Sequence, residues 1–107
     1  MIKVLNQSDL KELSSKIAQL IDTKKIILFG SYATGNQDEE SDIDLCIITS
    51  EKKRKLDIMR EIRKNLSTSI DYPLDLLVYN EDEFYQKASL DSSFEHLIME
   101  EGASLYG

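Results

Sequence analysis

Apolar residues recur at helical spacing near the start of the chain. Leu10, Leu13, Ile17, Leu20 and Ile21 lie on one stripe, the spacing of a helix with one buried face. Asp9 opens it, and Glu12 stands three residues on, as in a capping box. A first strand follows, Lys25 to Phe29, carried by the unbroken run Ile26-Ile27-Leu28-Phe29. It stops at Gly30-Ser31. Tyr32 to Gly35 reads as a short helical turn, and residues 36–40 as an exposed acidic loop. A second strand runs from about Ser41 to Thr49, and its β-branched residues predict burial on both faces. A helix is expected from about Lys52 to Ser69, with Leu56, Met59, Ile62 and Leu66 turned inward. Tyr72-Pro73 interrupts it. The third strand is Leu74 to Tyr79, and the strand–helix–strand order predicts parallel pairing with the second. Asn80 with Glu83, and Ser92 with Glu95, match capping boxes of two further helices. The first is about Glu81 to Ala88; the second carries Phe94, Leu97 and Ile98 and ends at Gly102. The pattern predicts an α/β (α+β) fold: a small mixed sheet of about three strands, flanked by helices.

The chain has 107 residues, the length of a single domain spanning 1–107. With 41% hydrophobic and 31% charged residues it has the composition of a soluble globular protein. Its apolar runs are too short for a bilayer span, and its start lacks a signal peptide's apolar stretch. No membrane association is expected, and a cytoplasmic location follows. The single Cys46 cannot form an internal disulfide and reads as a buried, reduced thiol. A net charge of −7 argues against general nucleic-acid binding. Basic residues nevertheless cluster at Lys52, Lys53, Arg54, Lys55, Arg60, Arg63 and Lys64, most simply as a solvated helix face. His96 stands off the apolar stripe without a partner at ligand or triad spacing and reads as a surface histidine.

Candidate chemistry concentrates between Gly30 and Asp44. On a strand Asp42 and Asp44 project to one face, ~7 Å apart along the backbone. Two carboxylates so placed repel each other and resist desolvation. A divalent cation offsets that cost, and an all-oxygen site favours Mg²⁺, with Mn²⁺ as a substitute. Gly30 permits a sharp turn and close backbone approach, and its neighbouring N–H groups suit phosphate oxygens. The Ser31 hydroxyl adds a donor, and Ser41 is a further candidate phosphate contact. Asp75 is an isolated acid in an apolar strand, a poor choice for packing alone. Neighbouring strands lie ~4.8 Å apart, so Asp75 falls within reach of the other two.

Leu28-Phe29-Gly30-Ser31, ten residues, then Asp42-Ile43-Asp44-Leu45 resembles the signature of the DNA polymerase β-like nucleotidyltransferase superfamily. The short chain and the ending Glu101-Gly102-Ala103-Ser104-Leu105-Tyr106 look like its minimal nucleotidyltransferase (MNT) family, and the spacer resembles the MntA-type antitoxins. The resemblance implies an enzyme that moves a nucleoside monophosphate, with ATP as the donor. Asp42, Asp44 and Asp75 would be catalytic and hold one or two Mg²⁺ ions. Gly30, Ser31 and Ser41 would contact the nucleotide. It also implies a partner chain, a HEPN-domain protein, whose tyrosine can be the acceptor in a toxin–antitoxin system. Two other readings remain open: a catalytically silent partner-binding module of a HEPN–MNT pair, and a small-molecule transferase of the antibiotic-modifying type.

Overall fold

The computed structural model describes residues 7–35, 42–66 and 74–107. In chain order these form α1 (Gln7–Leu20), β1 (Thr23–Phe29), α2 (Ser31–Thr34), β2 (Ile43–Thr49), α3 (Lys55–Leu66), β3 (Leu74–Asn80), α4 (Glu81–Ala88), α5 (Phe94–Glu101) and β4 (Ala103–Tyr106). The strands make one mixed sheet in the order β3-β2-β1-β4. β1 is antiparallel to β2 and β4, and β2 is parallel to β3, as the crossover through α3 requires.

Strand alternation divides the apolar residues between two faces. Ile26, Leu28, Leu45, Ile47, Leu76 and Val78 face α1 and α3, where Leu13, Ile17 and Ile62 complete the larger core. Ile27, Cys46, Ile48 and Tyr79 face the other way and meet Phe84 and Ala88 of α4 and Ile98 of α5. β2 is buried along nearly its whole length, matching its β-branched run. Among the described residues, no helix is long and apolar enough to cross a membrane.

Three expectations are corrected. The sheet has four strands rather than about three. β4 is only four residues long, too short for a readable alternation. Its placement depends on Gly102, whose N–H closes α5 onto Ile98 O at 2.8 Å. A Cβ there would collide with Ile27 and the Ile98 carbonyl. Second, Leu56 is 54% exposed. α3 begins at Lys55, and its phase is set by the buried Ile58, Ile62 and Leu66 at i, i+4, i+8. Third, Ser93 rather than Ser92 caps α5, its Oγ accepting from the His96 amide at 3.0 Å. Asn80 caps α4 as expected, accepting from the Asp82 amide.

Two side chains tie the α4–α5 layer together. Tyr79 Oη donates to Glu95 Oε2 at 2.7 Å. Burial and the neighbouring Glu95 charge push the Cys46 thiol beneath them up to about 12, an inert state. His96 is less free than its position off the stripe predicts. Its Nδ1 lies 2.9 Å from the Ala88 carbonyl at the end of α4, and its Nε2 lies 3.1 Å from Glu100 Oε1. The Ala88 carbonyl first, then Glu100 and Asp91, raise its pKa above the ordinary 6.5.

A raised histidine pKa stabilises the fold most below pH 6.5, and the contribution fades as pH rises through the folded value. Thermal melts should therefore show wild type losing stability relative to His96→Gln between about pH 6 and pH 8. Packing gives a second test. Ile58→Ala should cost about 2–5 kcal/mol in urea titration. Leu56→Ala should fall within about 0.5 kcal/mol of wild type, whereas comparable losses would contradict the observed phase of α3.

Candidate active site

The site is built where β1 ends. Gly30 has φ 74° and ψ −153°, a conformation open in practice only to glycine. The chain reverses there into α2, a single turn. The Gly30 carbonyl accepts from the amides of Ala33 and Thr34 at 3.1 and 3.2 Å. Tyr32 is buried in the larger core and pins the turn from below. Gly35, at φ 81°, closes it by donating to Ser31 O. The first amides of a helical turn have no acceptor within the turn and suit phosphate oxygens. Ser31 stands at this point, half-buried.

Asp44 reaches this turn from β2. It pairs in register with Phe29 on one side and with Asp75 of β3 on the other. Its carboxylate lies so close to Gly30 that a Cβ on residue 30 would collide with Oδ2. Asp44 is half-buried, while Asp42 and Asp75 are exposed. Burial, then the charges of Asp75 and Asp42, raise the Asp44 carboxyl above its usual range. Alternation puts Asp44 and Asp75 on the face that α4 and α5 cover farther along. Ser41 lies outside the described residues.

Asp75 is more exposed than an acid inside an apolar strand should be. It is the second residue of β3, where the helical cover has ended. Phe29 stands beside Asp44 and carries Phe94 against its own ring, although the hydrophobic pattern marks both only as apolar positions. Phe29 lies opposite Asp44, and its ring meets Phe94 edge-on, centroids 5.8 Å apart. Only cross-strand register reveals this, because the two are remote in sequence.

Among the described residues, no three His, Cys, Asp or Glu side chains already stand close enough to hold a metal ion. The donor chemistry nevertheless fits Mg²⁺. All three candidates are carboxylates, and Asp44 is raised by burial first and then by the charges of the other two. A hard divalent cation would offset that repulsion.

A mixed sheet with facing carboxylates beside a glycine turn is an arrangement suited to phosphate chemistry. The chain belongs to the nucleotidyltransferase domain family, whose sequence model matches residues 10–99. It is therefore a nucleotidyltransferase. Among curated relatives, "Putative protein adenylyltransferase MJ0604" of Methanocaldococcus jannaschii is 37% identical over 83 residues, covering 78% of each chain. A second of that description, MJ1379 of the same organism, is 31% identical over 93 residues, covering 78% of this chain and 90% of the relative. Among solved structures, a toxin–antitoxin complex with AMP-PNP matches with a TM-score of 0.64 at 24% identity, covering 96% of this chain and 74% of that one. A tri-AMPylated Shewanella oneidensis HEPN toxin in complex with its MNT antitoxin matches with a TM-score of 0.59 at 21% identity, covering 95% and 73%. At these identities the structural likeness speaks for the fold.

Two glycines of positive φ differ in both strain and steric fit, since Gly30 has ψ −153° and Gly35 ψ 11°. Gly35 has open space around its Cβ direction. Gly35→Ala should cost about 1–2 kcal/mol of stability for the left-handed backbone alone. Gly30→Ala adds the collision with Asp44, and should cost more in denaturant titration and abolish nucleotide transfer. Equal effects of the two substitutions would show that the Gly30–Asp44 approach is unimportant.

Proposed function

We propose that this protein transfers AMP from ATP, with Mg²⁺, to a hydroxyl of a partner protein, a tyrosine of a HEPN-domain toxin that it silences. The observation that carries this reading is the register placing Asp44 opposite Asp75 and against the Gly30 turn. The relatives described as protein adenylyltransferases support a protein acceptor. The similar folds in toxin–antitoxin complexes support the partner class.

Asp42, Asp44 and Asp75 would hold Mg²⁺. Bound there, it supplies charge neutralisation to the triphosphate and lowers the pKa of the acceptor hydroxyl. The turn at Gly30 and Ser31, with Ser41, binds the phosphates. The acceptor oxygen attacks the α-phosphorus and forms a new P–O bond. The bond from the α-phosphorus to the bridging oxygen breaks, and pyrophosphate leaves. Asp75, the more exposed of the facing pair, takes the hydroxyl proton. Positioning and charge complementarity supply most of the acceleration.

Label transfer from ATP carrying a labelled α-phosphate, with Mg²⁺ and host lysate, tests the reading. Wild type should label a protein band, and alkaline phosphatase should not remove the label. Asp42→Asn and Asp44→Asn should each reduce labelling by at least about 100-fold while leaving the melting temperature near wild type. Asp75→Asn should lower the rate more than nucleotide affinity. Full labelling by the Asp42→Asn, Asp44→Asn double variant would sink the assignment.

A further inference from the structure

We propose that Phe94 is the platform on which the base of the bound nucleotide stacks; this rests on the transferase reading above and names the missing contact of that same site. Phe94 opens α5 and is 50% exposed, so one side of its ring is open to a ligand. It also has an aromatic neighbour. Its ring meets Phe29 at 5.8 Å with the planes 83° apart, an edge-to-face contact that favours this orientation. Phe29 is itself half-buried against the smaller core. The result is an apolar surface open to solvent beside the end of β1.

Its place in the fold selects the occupant. Phe29 directly precedes Gly30 and lies opposite Asp44 in the β1–β2 register. Cross-strand partners project to the same face. Phe94 therefore stands in the helical layer at the border of the carboxylate face, two side chains from Asp44. A ligand whose phosphates sit at the Gly30 turn would carry its base toward that border. An aromatic ring suits any base, because every base has a π-face, and stacking of this kind tolerates sequence. Leu97, one turn along α5 and 46% exposed, is a comparably exposed apolar residue of the same helix and serves as a comparison.

Isothermal titration of the full chain, with Mg²⁺–ATP and with Mg²⁺–tripolyphosphate, tests the assignment. Tripolyphosphate engages the phosphate and carboxylate end but has no base. Phe94→Ala should weaken Mg²⁺–ATP by about tenfold or more and leave tripolyphosphate binding within about twofold of wild type, which also shows the variant is folded. Phe94→Trp should restore ATP affinity, and Leu97→Ala should bind both ligands as wild type does. Unchanged ATP affinity in Phe94→Ala, with wild type binding both ligands, would overturn the platform alone and leave the transferase reading standing. That result together with lost binding to a toxin partner would identify the ring as a protein contact. Equal weakening of ATP and tripolyphosphate by Phe94→Ala would also overturn the platform. Failure of wild type to bind either ligand would overturn the transferase reading and the platform with it.

Discussion

The approach of the Asp44 carboxylate to the Gly30 backbone is the contact on which the site depends. A Cβ on residue 30 would displace the carboxylate, so the turn after β1 and the acid of β2 approach this closely because residue 30 has no side chain. The positive φ of Gly30 sends the chain straight into the single turn α2. The first amides of that turn and a carboxylate then share one corner of the sheet. A phosphate brought to that turn would be repelled by the acid, and the Mg²⁺ of the proposed reaction would offset that repulsion.

The rest of the fold holds that corner open while closing the opposite end. At the far end of the β1–β2 pair, Thr49 Oγ1 and Ser50 Oγ bond Asp22 at 2.6 Å each. Lys55 pairs with Glu83 across the start of α4, and Lys55 and Lys87 lie over the Tyr79 ring. These contacts clamp α3, α4 and β3 together away from the carboxylates. α5 then returns over β1, and β4 adds itself to the free edge of β1. That edge strand is short, which limits its capacity to recruit other strands. The helical layer ends at Phe94, and beyond it the sheet face is occupied by acids rather than apolar residues.

Electrostatics and packing thus use one face of the sheet for two purposes. Where Cys46 and Tyr79 lie under α4 and α5, titratable groups are pushed toward their neutral forms and made inert. Two residues before Cys46 and four before Tyr79, Asp44 and Asp75 emerge from that cover. Asp44 keeps part of the burial, and that burial first, then the charges of Asp75 and Asp42, raise its proton affinity. In the proposed reaction a bound Mg²⁺ would offset the repulsion.

Much was legible in the chain itself. The runs Ile26–Phe29 and Ile43–Thr49, and the stripe of α1, specify strands and a helix because burial imposes periods of two and 3.6. Gly30, Asp42 and Asp44 stand out because glycine and paired acids are costly beside buried strands unless they do something. Other features were decided only in three dimensions. β4 forms because β1 offers an unpaired edge, and four residues carry too little pattern to announce it. The phase of α3 comes from packing, which chose Ile58 over Leu56 once the helix began at Lys55. His96 gained partners because α4 and α5 fold back on each other. The sequence by itself determined most of the elements and which residues are candidates for the chemistry, since both follow from local periodicity and residue type. Only the tertiary structure decided that Asp75 faces Asp44 and that Phe94 borders them, because strand register and helix packing join residues that the chain keeps far apart.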